Sequence, residues 1–182
     1  SVNESFTNMI EATNALGRRN GWGREKLQFE MSKNISDFHS DVIHSMIGNG
    51  DVQAATEYFE GNKSTIRDSD IKKDIRNTIA KQRDRKNVME KVGEITEAIG
   101  NEISDAQPLI DDIKDEDLRK KVNKEMKVVI RDIRREQDFV QAEIATRVAS
   151  GEYTVEDLNN DRGRLSNIAF NTIFNSLETT AG

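Results

Sequence analysis

From Leu118 to Val148 the chain places Leu118, Val122, Met126, Val129, Ile133, Gln137, Val140, Ile144 and Val148 at steps of four, four and three residues. Such steps return to one face of an α-helix and to neither face of a strand, so they dictate a long amphipathic helix. The repeat, about 3.67 residues per turn, favours nearly straight or slightly right-handed packing. The helical period recurs along the rest of the chain, and alternation of period two never persists. A single proline, Pro108, among 182 residues leaves no room for a turn-rich sandwich or barrel. The fold class read from the sequence is all-α.

The pattern divides the chain. A first helix is expected over roughly 2–16, broken by the glycines between Gly17 and Gly23, where Trp22 anchors the turn. A second spans 24–47, with an interruption near 32–36, and ends at Gly48-Asn49-Gly50, where Gly50 supplies the left-handed C-terminal conformation. Asp51 is a good N-cap for a short helix carrying Ala54, Ala55, Tyr58 and Phe59. Ser64 is the expected cap of a long helix with Ile66, Ile71, Ile75 and Ile79, then Val88, Val92, Ile95, Ile99 and Ile103. Residues 104–114, which include Pro108, cannot continue it. Asp115 caps the helix of the opening paragraph, Gly151 ends it, Thr154 and Asp157 form a capping box, and a last helix carries Leu165, Ile168, Ala169, Ile173 and Leu177. The expected division is a helical head over 1–63, a long hairpin over 64–150 and a C-terminal segment over 151–182, folding as one cooperative domain.

The hairpin follows from helix length. Residues 67–103 and 115–149 would each extend about 50–55 Å at about 1.5 Å per residue. A short connection between matched helices favours antiparallel packing. With the turn centred near Leu109, Ile99 falls beside Leu118, Ile95 beside Val122, Val92 beside Met126 and Val88 beside Val129. The positions expected to carry structure are therefore Trp22, Gly50, Asp51, Ala54, Tyr58 and Phe59 in the head, and Val88, Val92, Ile95, Val122, Met126 and Val129 in the hairpin.

Chemistry is harder to find. The chain has no cysteine, which excludes a disulfide framework, a thiolate metal site and a cysteine nucleophile. Its two histidines, His39 and His44, stand five apart, so they do not share a helix face and read as ordinary polar-face side chains. The glycines from Gly17 to Gly23 follow a helix and match neither phosphate-binding pattern. Carboxylates are plentiful but flank Lys or Arg on solvated faces, and no pair stands out as acid and base. The triplets beginning at Asn3, Asn34 and Asn62 match glycosylation sequons by chance, since no signal peptide is visible. No apolar run is long enough to span a membrane. Neither a catalytic set nor a cofactor is expected.

The net charge is −6, but it is unevenly placed. Residues 72–91 hold eight basic side chains against three acids, while residues 94–117 hold nine acids against Lys114. An antiparallel rod with opposite charge in two regions can associate head to tail. Protein–protein association through Lys81, Arg83, Arg85 and Lys86 is expected ahead of sequence-specific nucleic-acid binding, since the chain is neither net basic nor rich in aromatics.

Residues 19–66, with Asn20-Gly21-Trp22, His39 before Val42-Ile43, Gly50-Asp51, Ala54-Ala55, Tyr58-Phe59 and Asn62, resemble a segment of large bacteriophage and prophage internal or DNA-ejection virion proteins. Residues 113–122 and 144–158 are similar to a later pattern of the same proteins. The resemblance implies a helical structural domain of a longer virion protein, assembling with other virion subunits or with itself, in the virion or in host cytoplasm during assembly. The chain's start at Ser1, without an initiating Met, fits an excised or processed piece. The alternatives are a fragment of a phage-associated cell-wall lytic enzyme and a bacterial helical partner-binding regulator.

Overall fold

The computed structural model describes residues 1–180. Among them it holds eight α-helices and no strand: α1 Val2–Arg19, α2 Arg24–Gly48, α3 Val52–Asn62, α4 Ser69–Ile99, α5 Ala106–Asp111, α6 Glu116–Ala149, α7 Val155–Asn160 and α8 Asn167–Thr180. The all-α class is borne out. The chain forms two compact units, Ser1–Lys86 and the residues from Asn87 onward, so the division falls within α4 rather than at 63 and 150.

In the first unit α1 packs on α2 and α2 on α3. The core comprises Ile43, Ala55 and Phe59 with Ile66, Ile75 and Ile79, so residues beyond the expected head complete it. Ser1 and Glu4 form a capping box that starts α1. Asp51 Oδ1 accepts from Ala54 N–H at 2.9 Å, which is the expected cap of α3. Two expectations need correction. Helix α2 runs unbroken through 32–36. The cap of α4 is Asp68, whose Oδ1 accepts from Asp70 N–H at 2.9 Å and Ile71 N–H at 3.0 Å, and not Ser64.

The second unit has two cores. In one, Val88, Val92, Ile95 and Ile99 of α4 meet Ala106, Ile110, Ile113, Val122 and Met126, with Val129 packed against them. In the other, Val140 and Ile144 of α6 meet Tyr153, Leu158, Leu165 and Ala169. Every hairpin residue expected to carry structure thus lies in or against one core.

Their order, however, corrects the antiparallel hairpin. That register puts Gln137 level with Ala80, whereas the Gln137 side chain donates to the Asn101 carbonyl at 2.7 Å. Leu118 shares a surface cavity with Lys91 and Ile95, and Thr96 Oγ1 lies 3.8 Å from Met126 Sδ. Contacts therefore advance in the same direction along α4 and α6. The chain leaves α4 at Gly100, makes one 3-10 turn over Ile103–Asp105, and comes back through α5, burying Ala106 and Ile110. Pro108 is the third residue of α5, inside the first turn, where a missing N–H costs nothing. An apolar stripe reads the same in both directions, so spacing alone did not distinguish the two packings.

Candidate functional site

Polar side chains converge in one place inside the first unit. His39 is only 4% exposed, which overturns its reading as a polar-face residue. Phe6 of α1 lies along one face of its ring at 5.6 Å and Phe38 meets it edge-on at 5.9 Å. His39 Nδ1 is 2.9 Å from the Tyr58 hydroxyl, and Nε2 is 3.1 Å from Thr65 Oγ1.

Counting protons fixes the direction of each bond. Thr65 has one hydroxyl proton, and its oxygen lies 2.6 Å from the Asn62 carbonyl, which can only accept. Thr65 therefore accepts from His39 Nε2–H. That tautomer leaves Nδ1 bare, so the Tyr58 hydroxyl donates to it. Asn62 Nδ2 in turn donates to the Tyr58 carbonyl at 2.8 Å, which closes the circuit. One turn earlier, the fully buried Ser36 hydroxyl accepts from Arg67 N–H at 3.2 Å and Asp68 N–H at 3.4 Å. The connection from α3 to α4 is thus held to α2 by side chains. Burial lowers the His39 pKa and raises that of Tyr58. The ring has no unpaired nitrogen to offer a substrate, so the arrangement acts as a tie between elements.

The signal for this cluster was present in the spacing. Ser36 and His39 stand seven and four residues before Ile43, on the stripe that α2 buries. Asn34 and Asn62 are likewise structural, since Asn34 Nδ2 donates to Thr13 Oγ1 at 2.9 Å and Asn62 belongs to the circuit. His44 is exposed, 3.6 Å from Asp74. Among the described residues no group of three or more His, Cys, Asp or Glu side chains is placed to hold a metal.

Of the other residues singled out from sequence, Phe59 is buried beneath the Arg76 guanidinium at 5.8 Å, and Ala54 and Tyr58 are half-buried. Trp22 is half-buried under the Lys26 ammonium at 5.2 Å. Lys81, Arg83, Arg85 and Lys86 are all exposed on continuous α-helix. Between Ile79 and Val88 only Gln82 is even half-buried, and the other side chains are exposed. A groove of about 670 Å³ lies between α6 and α8, lined by Ala142, Ala145, Val148, Ile168, Thr172 and Ser176 among others, with no charged side chain in its walls. Its polar groups are the Gln141 amide and the hydroxyls of Ser166, Thr172 and Ser176. No helix is long and apolar enough to cross a membrane, among the described residues.

No family model, curated protein or solved structure matches the chain.

Proposed function

We propose that this chain is a non-enzymatic helical assembly segment of a virion-type protein that docks acidic faces of other subunits, or of a second copy, on the basic stretch of α4. The observation that carries this reading is the solvation of Lys81, Arg83, Arg85 and Lys86 on intact helix. A helix that is polar all round gains nothing from burial, so its sequence is set by what its surface meets in solvent. The resemblance of residues 19–66 to internal virion proteins supports the choice of subunits as partners. Surface ion pairs contribute at most about 1 kcal/mol each, so several must act together and the contact must be salt-sensitive.

The test is sedimentation of the parent and of a variant with Lys81, Arg83, Arg85 and Lys86 changed to Ser, at low and high salt, beside a titration with duplex DNA. The expected result is association at low salt that is lost at high salt and lost in the variant. A parent that stays monomeric at low salt while binding duplex DNA tightly overturns the reading.

A further inference from the structure

We infer that the circuit through Tyr58, His39, Thr65 and Asn62 is an acid-sensitive latch, in which proton uptake at His39 Nδ1 frees α3 and the connection to α4 from α2. The inference is independent of the assembly reading.

The geometry leaves the latch one way to respond. Neutral His39 donates at Nε2 to Thr65 and accepts at Nδ1 from Tyr58, so both ring nitrogens are used. A proton added at Nδ1 converts the only acceptor of the Tyr58 hydroxyl into a second donor. Tyr58 must then turn its O–H away from the ring, and the pair survives only as a reversed bond from Nδ1–H to the tyrosine oxygen. Thr65 cannot reverse to help, because its proton is committed to the Asn62 carbonyl. The imidazolium would also sit buried against the rings of Phe6 and Phe38, where its charge is only partly hydrated. Phe6 offers a ring face that attracts a cation, and this offsets only part of the desolvation.

The surroundings supply no counter-charge. From α3 the ring meets Tyr58, from α1 Phe6, from α2 Phe38 and from the connection Thr65. Burial is the cause of its lowered pKa, with no charged neighbour contributing. The sign follows. A histidine whose folded pKa lies below its unfolded value stabilises the fold fully above the unfolded value, about 6.5. That contribution is lost as pH falls from there through the folded value. The carboxylates whose pKa values are lowered, Glu4, Glu60 and Asp157, respond only below the ordinary carboxylate range. The mildly acidic window therefore belongs to the latch.

Amide hydrogen exchange on the full chain, at about pH 7.5 and about pH 5 and corrected for intrinsic rates, tests this. In the parent, exchange in α1, α3 and residues 63–68 should rise about threefold or more on acidification, while α6 stays unchanged. His39→Gln should abolish the rise, and His44→Gln should leave it intact. Nitrogen-15 spectra of the parent should show His39 as the Nε2–H tautomer, titrating below the ordinary histidine value, and should do so whether or not His39→Gln folds. Tyr58→Phe, which removes the donor to Nδ1, should raise that titration towards the ordinary value. Exchange indifferent to pH, an equal rise in His39→Gln, an Nδ1–H tautomer, or a ring titrating at or above the ordinary value would each overturn the latch.

Discussion

Gln137, on the buried face of α6, donates its side-chain amide to the backbone carbonyl of Asn101 at 2.7 Å, across 36 positions of chain. The turn that receives it is a joint. Asn101 Nδ2 donates to the Gly163 carbonyl at 2.6 Å, and Glu102 Oε1 accepts from Asn167 N–H at 2.7 Å. The end of α4, the middle of α6 and the start of α8 meet there through polar contacts rather than apolar ones. One polar residue in an otherwise apolar stripe thereby fixes which part of α6 lies at the end of α4.

Replacing Gln137 with Leu keeps the volume and the stripe but leaves the Asn101 carbonyl without that donor. The carbonyl keeps the Ile103 N–H at 3.2 Å, so the expected loss is that of one hydrogen bond, about 0.5–1.5 kcal/mol. Denaturant unfolding of the full chain measures it. A variant as stable as the parent would mean that Gln137 merely fills a position in the stripe.

The same residue marks how far the sequence could be read. Helices and caps were legible because their signals are local: Asp51, Asp115 and the Thr154–Asp157 pair all accept the backbone bonds expected of them. The apolar hairpin positions were legible as core for the same reason, since period alone separates buried from exposed. The sense in which α4 and α6 pack was not, because Val92, Ile95, Val122 and Met126 satisfy either direction. Gln137 stood in the stripe as the one polar member, but its partner is a backbone carbonyl, which no side-chain pattern announces. His39 was hidden by a different rule. Polar residues are usually exposed, and the two that break the rule on α2, Ser36 and His39, do so because residues 65–68 supply their partners. The basic stretch was legible throughout, since exposed charge on a helix needs no tertiary context.

Two glycines should respond to alanine with opposite signs. Gly50 follows α2 with φ at +82°, and its N–H donates to the Ile47 carbonyl at 2.9 Å, closing the helix end. A Cβ there meets no neighbour, so the cost is conformational alone, about 1–2 kcal/mol for an L-residue held left-handed. Gly93 lies within α4, exposed, with right-handed backbone and open space around a built Cβ. Gly93→Ala should therefore stabilise by about 0.5–1 kcal/mol. Thermal melts of the two variants beside the parent would show the divergence. A Gly50→Ala protein that melts with or above the parent would remove the backbone argument.

Tyr153 offers the sharpest test of the second unit. Its ring is buried under the Arg147 guanidinium at 4.8 Å, and its hydroxyl donates to Asp161 Oδ2 at 2.9 Å. Arg147 also reaches Asp157 at 3.3 Å, and Arg164 spans Asp161 at 3.1 Å and Glu143 at 3.4 Å. Burial first, and then the bond to Asp161, push the Tyr153 pKa well above the ordinary tyrosine value. A raised pKa means that the folded state holds its proton longer than the unfolded one. The resulting stability is complete below about pH 10 and is lost as pH rises through the folded value. Asp161→Ala should cost about 1–3 kcal/mol, because it strands a buried hydroxyl. Tyr153→Phe should cost less, since Asp161 keeps its Arg164 contact. The double variant should be less destabilised than the sum of the two singles, by about 1 kcal/mol. Spectrophotometric titration adds an independent reading, because Asp161→Ala should let Tyr153 ionise at a lower pH than in the parent. Additive single variants, together with an unchanged tyrosine titration, would show that the hydroxyl and the carboxylate stand side by side without coupling.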